Sequence, residues 1–425
     1  MKKIIAVFTM FMLLGNAFVM NALAGETDLL IKKLVEKDVL TPFEAQILKD
    51  ETLQDVAKQN ANRKNGALPS WVQKIKMKGD IRVRYQNEEK DTTASSGSVT
   101  NSKRERARVR FRLGLEAKPV SGWKVNAGLA TGSDDPRSTN QTMQDNFSTK
   151  GIQLDYAYAT NSINNYVDIL AGKIVRKKAL WAPSDLLWDG DVNPEGAAVK
   201  LDIPEINAWL NTGYFILDER SSGADPSIFF AQPGVTLEMG NMKLKTSFNY
   251  YATNSIKGLP YSNIVDGAGT NSTSTTPSSF KYDYDCRGLS AELGINLQED
   301  AEVDEIINYV TLFGDYITNP DPSEQNTGYL FGVKFGDKKT KKPGQWQAKV
   351  LYRELEKDAW LDFLPDSDFL GGDTNAKGYE LIFNYAIAKN ITLGLDYYRT
   401  ETLKVPTGSS KEEQDLVQVD CVVKF

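Results

Sequence analysis

Five arginines at alternate positions, Arg104, Arg106, Arg108, Arg110 and Arg112, are the residues of this sequence best placed to do chemistry. Successive side chains of an extended strand point to opposite sides, so all five share one face. Ala107, Val109, Phe111, Leu113, Leu115 and Ala117 take the other. Just upstream, Lys76, Lys78, Arg82 and Arg84 lie on one face of a second alternating stretch, opposite Ile75, Met77, Ile81, Val83 and Tyr85. Nine cations on neighbouring strands concentrate anions and repel cations. Guanidinium groups also suit bidentate recognition of carboxylate or phosphate. The alternative is that these charges pair with nearby acids and only hold other segments in place.

The residue types that are missing exclude more. The 425 residues contain no histidine. That removes Ser-His-Asp and Cys-His catalysis, His-ligated zinc or haem, and imidazole acid–base pairs. Two cysteines, Cys286 and Cys421, are too few for a thiolate metal site or a disulfide scaffold, and a bond between them is not expected. A net charge of -6 without a basic tail gives no sign of a nucleic-acid partner. No catalytic residue, metal site or cofactor is therefore expected. The stretch 358–373 carries Asp358, Asp362, Asp366, Asp368 and Asp373, a density that would suit Ca²⁺. Without the ligand spacing of an EF-hand it reads as a solvated acidic loop.

The elements that must position the arginines are set by the rest of the chain. Lys2, Lys3, the apolar run Ile4 to Leu14 and the small-residue site Ala22-Leu23-Ala24 form a secretory signal peptide cut near Ala24. Beyond it no apolar run is long enough for a membrane helix. Instead, sixteen segments between residues 75 and 425 alternate apolar and polar residues, many over ten residues or more. A tilted strand needs ~9–11 residues to cross a bilayer. Tight connections such as 119–122, 162–164, 204–205, 240–241 and 389–390 trade places with long loops at 90–103, 133–150, 176–194, 255–281 and 357–375. Sorting of connections by side is the layout of a transmembrane, antiparallel, up-and-down β-barrel, here of 16 strands. The arginine face must then be the lumen, since an Arg at mid-depth in lipid costs about 2–4 kcal/mol. Trp71, Tyr85, Trp123, Tyr156, Tyr158, Tyr250, Tyr309, Tyr329, Trp346, Tyr352, Tyr379 and Tyr397 are candidates for interfacial girdles. The last strand, with Val417, Val419, Cys421 and Val423 on one face, ends on Phe425, a signal of the kind read by outer-membrane assembly machinery. The Ser/Thr/Gly-rich stretch 255–279 reads as a mobile outer loop, and 338–342 as a basic periplasmic turn. The organisation expected is a signal peptide at 1–24, a periplasmic helical segment and linker at 25–69, and the barrel at 70–425. Thr41-Pro42-Phe43-Glu44 in the second part is a capping box.

Several passages resemble the putative porin family of Gram-negative outer membranes. They are residues 29–41, the strand Lys78-Gly79-Asp80-Ile81-Arg82-Val83-Arg84-Tyr85, the arginine strand, and Gly128-Leu129-Ala130-Thr131-Gly132-Ser133-Asp134-Asp135-Pro136-Arg137. Residues 188–196, Asp366-Ser367-Asp368-Phe369 and Gly378-Tyr379 also fit. The resemblance implies a β-barrel channel for small solutes in the outer membrane, and by analogy to sixteen-stranded porins a homotrimer. In such porins the third long loop often folds inward. Here that loop is 176–194, with Lys177, Lys178, Asp185, Asp189 and Asp191 as constriction residues. The carboxylates are expected to face Arg82, Arg84, Arg104, Arg106, Arg108, Arg110 and Arg112 across the pore; a trimer-contact or surface loop is the alternative. The function expected is passive diffusion of small hydrophilic solutes with a preference for anions. A solute-specific channel and a non-conducting structural or adhesive barrel are the alternatives. An enzyme is not expected, because barrel enzymes rely on histidine.

Overall fold

The computed structural model describes residues 34, 35, 37, 40, 41, 44–48 and 72, and residues 75–425 apart from 265–268, 275–277 and 299–305. The signal peptide, Trp71 and the linker lie outside the described residues. The chain divides into two compact units, Met1–Lys74 and Ile75–Phe425. In the first, the capping box forms: Glu44 N–H donates to Thr41 Oγ1 at 3.3 Å, and Thr41 N–H donates to Glu44 Oε2 at 2.9 Å. No described helix is long and apolar enough to cross a membrane.

The second unit is one antiparallel sheet. Its strands are β1 (Lys76–Thr93), β2 (Val99–Ala117), β3 (Trp123–Thr131), β4 (Gln141–Thr142), β5 (Ile152–Ser162), β6 (Val167–Lys173), β7 (Glu195–Ile203), β8 (Ala208–Ile216) and β9 (Ser227–Met239). They continue as β10 (Met242–Asn254), β11 (Arg287–Asn296), β12 (Tyr309–Thr318), β13 (Thr327–Gly336), β14 (Trp346–Leu355), β15 (Ala376–Ala388), β16 (Ile391–Thr402) and β17 (Lys411–Lys424). Each long strand pairs with its sequence neighbours, and β1 also pairs with β17, which closes the barrel. The two-residue β4 lies against β2 as an addition, so the wall has sixteen strands, as the alternation indicates. At the seam Phe425 and Gly79 exchange N–H···O bonds of 3.0 Å each. The Phe425 ring covers Gly79, where a Cβ would sit 2.4 Å from it.

Polar-in, apolar-out alternation holds on the lipid side, where Leu129, Ile169, Phe248, Leu289, Leu312, Leu381 and Leu395 are exposed. Phe331 and Tyr379 stand outward near the long-loop end, and Trp123, Phe383 and Tyr385 near the other. Three girdle candidates face inward instead. Tyr309 shares its face of β12 with the buried Thr311 and Phe313. Tyr158 is buried at 7% exposure, and Tyr156 packs over Gly128. A register shift between β3 and β5 at Gly128/Leu129 turns these last two.

Three loops also differ from their sequence readings. Most of 90–103 is strand, because β1 and β2 run 18 and 19 residues to a tight turn where Ala94 N–H donates to Ser98 O at 2.8 Å. The acidic stretch 358–373 is not solvated. Trp360 and Leu361 are fully buried, Asp358 and Asp362 nearly so. The described part of 255–279 folds onto it, with Ile256, Leu259, Tyr261 and Asn271 buried. The carboxylate of Asp362 explains the docking: it accepts from Tyr261 Oη at 2.7 Å and from the N–H groups of Thr270 at 2.6 Å and Asn271 at 2.8 Å. A buried carboxylate with several donors is satisfied without water.

Candidate functional site

The seven arginines share one face of the β1–β2 pair, and the strand register decides how they sit. Arg82 lies opposite Arg110 and Arg84 opposite Arg108. Like charges directly across a sheet repel. Acids on the same inward register relieve this. Asp80, opposite Arg112, accepts from Arg110 Nη2 at 2.7 Å and Arg112 Nε at 2.9 Å. Asp420 on β17 lies opposite Arg84 and accepts its Nε and Nη2 at 2.7 and 2.8 Å, with Arg82 3.5 Å away. Glu88 stands 3.5 Å from Arg106. Two loop carboxylates complete the set: Asp368 lies 3.3 Å from Arg84 and Asp191 lies 3.4 Å from Arg112.

Among the described residues Arg104 and Arg108 have no ion pair. Arg108 donates instead to Gln86 Oε1 at 3.2 Å and Ser138 Oγ at 3.3 Å. Burial grades along β2: Arg104 is exposed, Arg106, Arg108 and Arg112 are half-buried, and Arg110 is buried. Seven guanidinium groups thus meet five carboxylates, which leaves the wall cationic.

The 176–194 loop leaves the wall after the seven-residue β6 and turns into the lumen. A polar ladder on the inward faces of β8 to β12 fastens it. Gln232 accepts Trp181 N–H at 2.9 Å and donates to Trp181 O at 2.6 Å, while Asn211 and Asn249 hold Gln232 in place at 2.9 and 2.8 Å. Ser184 and Ser290 both donate to Asp315. Leu186 and Trp188 are then buried against Phe215, Tyr251 and Trp360. Trp360 Nε1 donates to Leu187 O at 2.7 Å, and Asp189 N–H donates to Leu364 O at 2.6 Å, so the third and acidic loops form one packed body.

The constriction candidates divide accordingly. Asp191 meets Arg112. Asp185 pairs with Arg176 of its own loop at 3.2 Å. Asp189 is buried and accepts the N–H groups of Asp191 at 2.8 Å and Ser367 at 2.9 Å. Burial pushes its carboxyl up to about 7, with the Asp191 charge adding to the shift. Lys177 and Lys178 are exposed. Partial desolvation by the surrounding loop and strands, then the neighbouring Arg112 and Lys78, nonetheless lower the Lys177 pKa. Asp368 and Asp420 engage the arginines directly, although the sequence reading names Asp368 only within the acidic stretch 358–373 and does not name Asp420. The inward register of β17 marks Asp420, opposite the valines that face lipid; nothing in the pattern marks Asp368. Cys286 and Cys421 are both free, and among the described residues no group of three or more acidic or cysteine side chains could hold a metal.

A family model described as "Putative porin" matches residues 33–100, 88–302 and 284–425. No curated protein is similar to the chain at a significant level. Of the solved structures similar to it, the Pseudomonas putida protein OprB, in a structure at high pH, is 12% identical with a TM-score of 0.49, over 82% of this chain and 94% of that one. A mutant of the Rh. blastica porin is 10% identical with a TM-score of 0.42, over 83% of this chain and 100% of that one. The family model spans nearly the whole of the chain, and the protein belongs to the putative porin family.

Proposed function

We propose that the protein is an outer-membrane channel, not an enzyme, through which small hydrophilic solutes diffuse passively with a preference for anions. The observation that carries this is the inward arginine wall, whose seven guanidinium groups exceed the five carboxylates that contact them. Charged rings lining a pore set the sign of the ion that passes. The short connections and both ends of the barrel lie at one end, taken here as periplasmic, and the long loops at the other. Cleavage near Ala24 leaves residues 25–69 as the periplasmic segment and 70–425 as the barrel, which assembles into a trimer; Phe425 is its signal to the assembly machinery.

The constriction in this reading lies between the arginine wall and the packed body of inner loops, with Asp191 and Asp368 on the loop side. The test is the reversal potential of the purified protein across a KCl gradient, with Arg106, Arg108 and Arg110 changed to Ser. The wild type is expected to favour chloride and the triple variant to lose that preference. A cation-selective wild type, or no change in the variant, would sink the reading.

One observation favours a second reading, a barrel that does not conduct. The inner loops form an apolar core with Trp188, Trp360, Phe215 and Phe230 inside the barrel. Planar-bilayer recordings separate the two, since a closed barrel gives no channel steps.

A further inference from the structure

Beneath the inner loops a second charged chamber opens toward the end with the short connections. It has a volume of about 540 Å³. Its roof is the inner-loop segment with Arg176, Lys177 and Asp191. Its walls come from β1, β2 and β5, and its rim from Lys341, Asn390 and Lys424. None of these elements is adjacent in sequence to all the others. The fold gathers cations here from the first strand, an inner loop, a turn and the last strand.

The balance of charge in the chamber is unequal in a specific way. Its carboxylates, Asp80, Asp155 and Asp191, are already engaged. Asp80 takes Arg110 and Arg112, Asp191 takes Arg112 and Thr139, and Asp155 accepts Asn193 Nδ2 at 2.7 Å. The arginines are engaged by the same bonds, and Arg176 pairs with Asp185. Lys78, Lys177, Lys341 and Lys424 line the same space, and among the described residues none of them has an ion pair. Four like charges lining one space without an ion pair repel one another; the Lys177 pKa is lowered by desolvation first, then by Arg112 and Lys78. A multivalent anion removes the repulsion. Compact ammonium groups on flexible stems suit a phosphate as point charges from several directions; the planar forks of the ladder also bind phosphate, but Arg110 and Arg112 are already taken up by Asp80.

We infer that this chamber is a binding station for a phosphate-type multivalent anion, held by Lys78, Lys177, Lys341 and Lys424, in series with the arginine wall. It deepens the channel reading above by naming a solute class for the mouth of that pore. Such a station raises the local concentration of phosphate-bearing solutes next to the constriction.

Titration calorimetry of the purified full-length protein with inorganic pyrophosphate at low ionic strength tests it without any need for current. One saturable site is expected. The double variant Lys341→Gln/Lys424→Gln should weaken it at least tenfold, while Lys341→Arg/Lys424→Arg, which keeps the charge, should retain most of the affinity. Both side chains are exposed, and far-ultraviolet circular dichroism checks that the barrel is intact. Arg106→Ser, outside the chamber, should shift the KCl reversal potential and leave pyrophosphate binding as it was. No saturable heat from the wild type, or equal affinity in the Gln variant, overturns the station. A wild type that binds pyrophosphate but shows no preference for chloride would instead count against the arginine wall alone.

Discussion

Two halves of one lumen are built on opposite principles. Along β1, β2 and β17 the inward positions are charged, and the wall is held by ion pairs such as Arg84–Asp420 and Arg110–Asp80. Across from it, the inward positions of β8 to β14 include Phe215, Phe230, Tyr251, Phe313, Leu330 and Leu351, all buried against the inner loops. The first half stays usable to solutes because its charges need water or counter-charges. The second excludes water and behaves as the core of a soluble domain, with close-packed aromatic rings. A barrel of this width needs both: the apolar half fixes a body of loops, and the charged half faces what space is left.

The largest effect should come from the apolar half. Trp360 is fully buried, touches Trp188 and Tyr251, and donates to Leu187 O. Trp360→Ala should cost about 3–5 kcal/mol in a packed core. If the inner loops form a body distinct from the wall, the loss appears as their undocking: protease cuts within 357–375 while the barrel keeps its strand signal in circular dichroism. Resistance equal to the wild type would mean that the aromatic packing holds nothing in place.

The charged half should divide within itself. Arg110 is buried with Asp80, and breaking a buried pair by removing one partner costs about 3–5 kcal/mol, less here because Arg112 still contacts Asp80. Arg108 has no carboxylate partner and is only half-buried. Two unit charges 4 Å apart in water interact by about 1 kcal/mol, roughly fivefold in ion occupancy. Arg108→Ser should therefore lower the chloride preference by up to that factor and leave the melting temperature nearly unchanged, whereas Arg110→Ser should lower the melting temperature. Identical profiles for the two would erase the distinction between a pairing and a solute-facing arginine. Next in size is removal of residues 186–191, which should raise single-channel conductance by about twofold, the wider path following from lost loop volume. An unchanged conductance takes the loop out of the ion path.

The contrast also explains what was legible. Period-2 alternation and the sorting of connections carry the barrel and its sixteen strands, because the two sides of each of those strands meet different surroundings. That rule has no power over the apolar half, where inward residues such as Phe230 and Leu351 face protein. Loops are harder still. Asp358 and Asp362 look like solvated acids in the chain, since their donors come from afar: Ser272 N–H for Asp358, and Tyr261, Thr270 and Asn271 for Asp362. Lys177, Lys178, Asp185, Asp189 and Asp191 stand out in the sequence by their loop position, yet of the three acids only Asp191 contacts the arginines of β1 and β2. Which acid faces which cation depends on how the loops pack, and that packing is set by Trp181, Trp188 and Trp360 more than by the acids.

The smallest effect lies where the two halves meet. Asp189 sits in the joint between the inner loops, accepting from Ser367 N–H, with Asp191, Asp185 and Asp366 as the carboxyl groups around it and Arg112 beyond Asp191. Burial raises its pKa to about 7, and burial together with Asp368 and Asp189 raises that of Asp366 well above the ordinary range. A carboxyl whose folded pKa is raised stabilises the docked state fully below its unfolded pKa, near 3.9, and that contribution is lost as pH rises through the folded value. The loops should therefore dock more tightly at pH 6 than at pH 8. Single-channel conductance should rise across that interval, by less than deletion of residues 186–191 produces, as the joint loosens. Asp189→Asn keeps an acceptor for Ser367 N–H without the charge and should flatten the rise. A pH profile that survives in the Asn variant would move the sensitivity to another group and leave the joint between the halves rigid.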